Sequence, residues 1–144
     1  MIKSFKTKLQ SAQNRLIRVI LGMDPRTHIG RDQFKVLNWL PVDHRVTLAR
    51  LTMVHKIKYG EVPTVLRTCF RHVNEVHSHF TRASIADMVL PGFRTKVGKG
   101  SFIYIGATQW NSQWNSLEIS MKLTSNLRTF KQKTKRWLLE KVPI

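Results

Sequence analysis

Cysteine, acid and long apolar runs are what this sequence has least of. A single cysteine, Cys69, rules out an internal disulfide, and no Asn-x-Ser/Thr sequon occurs. Both fit a reducing, intracellular setting, nucleus or cytoplasm. The 8 acids, Asp24, Asp32, Asp43, Glu61, Glu75, Asp87, Glu118 and Glu140, are dispersed, with no pair at a metal-binding spacing. Two-metal nucleotidyl transfer needs clustered carboxylates, so the chain does not read as an enzyme; no metal or other cofactor is expected. No apolar run approaches the roughly 20 residues of a membrane span, and no membrane partner is expected. There is no low-complexity tract or flexible linker.

What is abundant is positive charge. Lys and Arg number 25 in 144 residues, for a formal net charge of +17. Such a surface repels itself in the compact state and favours an anionic partner. Phosphate polymers fit best, because each neutralised phosphate releases condensed counterions. The length suits a single domain or domain fragment with a modest core.

Hydrophobic periodicity predicts a mainly α fold with a small β-hairpin (α+β): a helical bundle around a buried central helix, with basic outer faces. Residues 1–71 form the helical half, 72–87 an irregular loop, 88–105 the hairpin, and 106–144 a WNS segment with a basic C-terminal helix. In the first helix, residues 3–22, Phe5, Leu9, Ala12, Leu16, Val19 and Ile20 line the expected core face. Its acid-free, basic character also matches a transit peptide, but an ordinary core helix accounts for it. Gly22 suits the helix stop. A short helix covers Arg31 to Leu37, with Phe34 and Leu37 inward. The helix from Pro41 to Tyr59 is apolar nearly all round, through Val42, Val46, Leu48, Leu51, Met53, Val54 and Ile57, so it is expected to be the most buried. Gly60 ends it, and Pro63 starts a helical turn with Val65, Leu66 and Phe70. Val89, Phe93 and Val97 alternate with basic residues ahead of a Gly98-Lys99-Gly100 turn, which gives the hairpin. After a Thr124-Ser125-Asn126 break, Leu123, Leu127, Phe130, Thr134 and Trp137 share one sector of the last helix; Arg128, Lys131, Lys135 and Arg136 take the other.

The basic faces are read as phosphate-backbone contacts, which position a strand without reading its sequence. Lys131 to Arg136 also matches a nuclear-localisation tract. Trp110 and Trp114, in a tandem QWNS repeat, suit core anchors better than base-stacking platforms. Asn111 and Asn115 after them suit caps or turn hydrogen bonds. Cys69, His72, His77 and His79 have a spacing that matches no common zinc site.

Several blocks, in order, resemble the C-terminal (thumb and post-thumb) region of the reverse transcriptase polyprotein of non-LTR (LINE-type) retrotransposons. Leu9-Gln10 with Gln13-Asn14-Arg15 and Arg18 is similar to that family's LQ-x-x-QNR-x-x-R helix. Asn38-Trp39-Leu40-Pro41-Val42 with Arg45 resembles its L-x-W-L-P-V-x-x-R block, and His55-Lys56 with Gly60 and Pro63 its (V/H)K-x-x-x-G-x-x-P block. His77 with Thr81-Arg82 resembles H-x-x-x-TR. Trp114-Asn115-Ser116-Leu117, Lys122, Ser125, Leu127, Phe130-Lys131, Lys135 and Leu138 resemble the WNSLP to FK-x-x-LK-x-x-L run. Glu118 stands where the family has Pro and Thr134 where it has Leu, and QWNS is doubled.

The resemblance implies a non-catalytic fragment of an RNA-directed DNA polymerase, lacking the catalytic palm. It would grip template RNA or RNA–DNA duplex through Arg15, Arg18, Arg45, Arg82, Arg128, Lys131, Lys135 and Arg136, largely nonspecifically, beside the polymerase core of the parent polyprotein. The alternatives are a translated relic without selected function and a stand-alone basic nucleic-acid-binding protein.

Overall fold

Helix-stop geometry repeated three times sets the rhythm of this computed structural model, which describes residues 2–76, 78, 87–112 and 119–144. The helices among these residues are α1 (Ile2–Ile20), α2 (Arg31–Val36), α3 (Val42–Lys58), α4 (Thr64–Thr68), α5 (Val73–Val76), α6 (Lys96–Lys99), α7 (Phe102–Ser112), α8 (Ile119–Lys122) and α9 (Leu127–Glu140). Among these residues the fold is mostly helical, with almost no strand.

α1, α2 and α3 each end on a left-handed residue, Gly22 (φ +61°), Asn38 (φ +51°) and Gly60 (φ +79°). Each carries the paired backbone bonds of a Schellman stop. After α1, Met23 N donates to Arg18 O (2.9 Å) and Gly22 N to Val19 O (3.3 Å). After α2, Trp39 N donates to Phe34 O (2.9 Å); after α3, Glu61 N donates to Lys56 O (2.9 Å). The Gly22 and Gly60 stops fall where the sequence puts them.

Two compact units divide the chain: Met1–Leu48 with Gln132–Ile144, and Ala49–Lys131. In the first, Ile17, Ile29, Phe34, Leu40, Leu138, Leu139 and Val142 form a buried cluster, with Leu21, Leu37, Trp39, Leu48 and Trp137 packed against it. Gly30 lets the C-terminal residues lie close: a Cβ there would stand 3.0 Å from the Ile144 carbonyl carbon. Arg31 closes that edge, its backbone N–H donating to Pro143 O (3.0 Å) and its Nε to Val142 O (2.7 Å).

In the second unit, Trp110 and Phe130 are fully buried and stack with centroids 5.9 Å apart. The α7 face of Gly106, Ala107 and Trp110 is buried, and a Cβ on Gly106 would meet Val54 at 3.1 Å. Asn111 acts as a surrogate strand: its Oδ1 accepts from Met88 N (3.0 Å) and its Nδ2 donates to Met88 O (2.8 Å). On its other side Met88 pairs with His72 in an isolated antiparallel bridge.

Several sequence expectations are corrected. Residues 88–105 are not a β-hairpin. Thr95 caps α6, its Oγ1 accepting from Gly98 N (3.1 Å), and Ser101 Oγ accepts from Tyr104 N (3.3 Å) at the start of α7. The spacing of Val89, Phe93 and Val97 is two strand periods but also close to one helical turn, so it does not discriminate. The second correction is the core face of α1. Phe5, Leu9, Ala12, Leu16, Val19 and Ile20 are exposed, Val19 at 78%, whereas Ile17 is at 0%. Polar anchoring wins over the apolar stripe, because Gln10 and Gln13 face the start of α3. Gln10 Oε1 accepts from Val42 N (2.8 Å) and Gln13 Nε2 donates to Leu40 O (2.8 Å). This satisfies one of the orphan donors at the α3 N-terminus. Third, Leu123 is exposed, because it lies past α8 and ahead of α9. In α3 full burial is confined to Leu51, Val54, His55 and Ile57; Val42, Val46 and Leu48 are half-buried and Met53 is exposed. In α4, Val65 and Leu66 are exposed and the inward residue is Phe70 beyond it.

Candidate nucleic-acid interface

Five of the eight acids have a partner among the described residues. Asp24 Oδ1 accepts from Arg26 N (2.8 Å), and Glu75 Oε2 from His72 N (3.2 Å). Three ion pairs form among the described residues: Lys6–Asp43 (2.7 Å), Lys35–Glu140 (3.8 Å) and the largely buried Lys122–Asp87. These pairs engage three of the 25 Lys and Arg.

On α9, Asn126 provides the N-cap, its Oδ1 accepting from Thr129 N (3.1 Å) while Phe130 N donates to Asn126 O (3.0 Å). In the second unit Phe130 turns inward and leaves Arg128 and Lys131 exposed. In the first unit Thr134, Leu138 and Leu139 turn inward; Lys133 and Arg136 are exposed and Lys135 is half-buried. Lys141 Nζ lies 4.2 Å from the Trp137 ring centroid, a cation–π contact that leaves the ammonium at the surface.

The other sequence-assigned cations differ among themselves. Arg15 is exposed on α1, where Ser4, Thr7, Lys8, Ser11 and Ala12 line a shallow groove with it. Arg45 is exposed on α3. Arg18 is half-buried, and its Nε donates to Thr27 O (2.9 Å), so part of its guanidinium closes the loop after α1. Arg82 lies outside the described residues, as do His77 and Trp114.

The motif residues of the sequence have structural work. Gln10 also donates to Gln13 Oε1 (3.1 Å) and Asn14 Oδ1 (2.9 Å), so the Gln-rich block of α1 and the Leu40-Pro41-Val42 block form one polar clasp. His55 is fully buried, its Nε2 2.7 Å from Thr124 O and its ring stacked 4.3 Å from Phe130. That contact fixes the tautomer with the proton on Nε2. Burial holds its pKa below the usual 6.5, against the upward pull of the Thr124 carbonyl and Glu61. Tyr59 Oη donates to Lys122 O (2.8 Å), and burial raises the Tyr59 pKa. Trp110 is a core anchor rather than a stacking platform.

No three of His, Cys, Asp and Glu come together as a metal cage among the described residues. Sequence reasoning passed over Lys58, Arg67 and Arg71, which line a common cleft in the second unit. No motif or helical sector marks them, and in so basic a chain three cations close in sequence are uninformative. No known family model, curated protein or solved structure matches the chain.

Proposed function

We propose that this protein is a non-catalytic nucleic-acid-binding module, a C-terminal fragment of a non-LTR retrotransposon reverse transcriptase. Its exposed basic helix faces hold RNA template or RNA–DNA duplex by the phosphate backbone. The observation that carries the reading is the charge asymmetry. A net charge of +17 goes with 8 acids, five of which have partners among the described residues, while Arg15, Arg45, Arg128, Lys131 and Arg136 are exposed. Backbone contact of this kind needs no base-edge readout. The order of blocks resembling the retrotransposon family supports the fragment reading, and the exposed apolar stripe of α1 gives a polymerase core a surface to cover.

The test neutralises the α9 cations together, as Arg128→Gln, Lys131→Gln, Lys135→Gln and Arg136→Gln. In filter binding at one fixed salt concentration, this variant is expected to lose at least about tenfold in affinity for single-stranded RNA. Unchanged affinity rules out α9 as the gripping element.

One observation favours a second reading. α1 exposes Phe5, Leu9, Leu16, Val19 and Ile20 alongside Lys8 and Arg15. Such a helix lies in the surface of an anionic bilayer without crossing it, and no described helix is long and apolar enough to cross. Co-sedimentation with phosphatidylserine vesicles, abolished by Leu9→Ser with Leu16→Ser, supports this reading; absence of co-sedimentation removes it.

A further inference from the structure

A cleft of about 740 Å³ lies beside the end of α3 within the second unit. Its floor is apolar, made by Ile57 and the buried Phe70. Its rim carries Lys58, Arg67 and Arg71, opposed by one acid, Glu75. That acid is already drawn toward the chain by the His72 N–H. Neither the Arg67 nor the Arg71 guanidinium is paired with another described residue.

The rim is held in place by backbone. Arg71 O accepts from Val89 N at 2.7 Å, next to the His72–Met88 bridge that Asn111 clamps. Arg67 lies against the bare helix stop, where a Cβ on Gly60 would stand 3.6 Å from its Cζ. Lys58 Nζ is 3.4 Å from Lys122 O and 5.5 Å from the Trp110 centroid. Burial and the Lys122 ammonium lower the Lys58 pKa from its usual 10.5, against the opposing pull of Asp87.

Two forked donors and an ammonium around an apolar floor are the complement of a phosphoryl group carrying a planar apolar body. The volume suits a ligand of nucleotide size. We infer that this cleft binds a nucleotide unit, with its phosphoryl group on Arg67, Arg71 and Lys58 and its base toward Ile57 and Phe70. A nucleic-acid strand and a free nucleotide present the same chemistry. The inference rests on the proposed nucleic-acid function only for the strand as source.

The test uses the full chain with fluorescein-labelled single-stranded RNA, ATP and inorganic phosphate as probes. Arg67→Gln with Arg71→Gln is compared with Arg128→Gln and Lys131→Gln, unchanged melting showing that each variant folds. The cleft variant is expected to weaken RNA or ATP binding about tenfold or more, and Arg67→Lys with Arg71→Lys to leave most of that loss, because a point charge lacks the fork. Loss with RNA alone assigns the cleft to a strand; loss with ATP assigns it to free nucleotide as well. Wild-type binding of both probes by the Gln variant overturns the inference, whatever the α9 variant does. Full recovery in the Lys variant also overturns it, as does inorganic phosphate binding as tightly as ATP. If the cleft variant alone loses binding, the cleft stands and the α9 grip falls.

Discussion

Thr134 is 1% exposed, and its Oγ1 has no hydrogen-bond partner among the described residues. A buried hydroxyl in that state costs about 1–3 kcal/mol, so Thr134→Val, which keeps the shape, is expected to stabilise the protein by about 1 kcal/mol in urea unfolding. His55 has the same defect at Nδ1, and it carries a pH signature. Burial holds the pKa values of His44, His55 and His72 below 6.5. In the unfolded chain these rings take up protons near 6.5, in the folded chain only at lower pH. Their contribution to stability is therefore complete above that pH and is lost as pH falls below it. Urea midpoints should be flat from pH 8 to 7 and decline toward pH 5.5, and His55→Gln should flatten that decline. A midpoint that rises on acidification would contradict the assignment.

Among the elements, α1 separates what a helical wheel can say from what it cannot. The wheel finds a greasy stripe but cannot tell that the stripe stays exposed while polar residues dock the helix. Gln10 and Gln13 satisfy backbone groups at Leu40 and Val42, and that fixes the phase so that Ile17, outside the expected stripe, is sealed while the stripe stays exposed. Phe5→Ser and Val19→Ser are thus expected to change stability by no more than about 0.5 kcal/mol. Ile17→Ala is expected to cost about 2–5 kcal/mol. Thermal or urea melts read both, and the reverse order would restore the wheel's assignment. Helix stops were legible because Gly22 and Gly60 have a local cause, the left-handed backbone. So were the Asn126 break and Trp110 as anchor. The segment 88–105 was not, because residues four apart satisfy both periodicities and the deciding groups, the Thr95 and Ser101 caps, lie off the apolar pattern. The α9 cations were readable from their sector. The Lys58–Arg67–Arg71 cleft was not, since it depends on the turn at Gly60 and on the Met88 bridge.

At the scale of the whole molecule, charge outweighs shape. Burial of Trp110, Phe130 and Ile17 gives each unit its own core. Neither core explains why 25 cations stand against 8 acids. Exposed like charges destabilise a compact chain and are screened within about 8 Å at physiological salt. A phosphate polymer relieves that repulsion and gains entropy by releasing its own counterions. The most direct measurement is the affinity of the unmodified chain for single-stranded RNA across a salt series. With four or more phosphates engaged, log K should fall linearly against log salt with a slope of about −3 or steeper. A flat line would contradict the account, because the exposed basic faces would then not be touching phosphate.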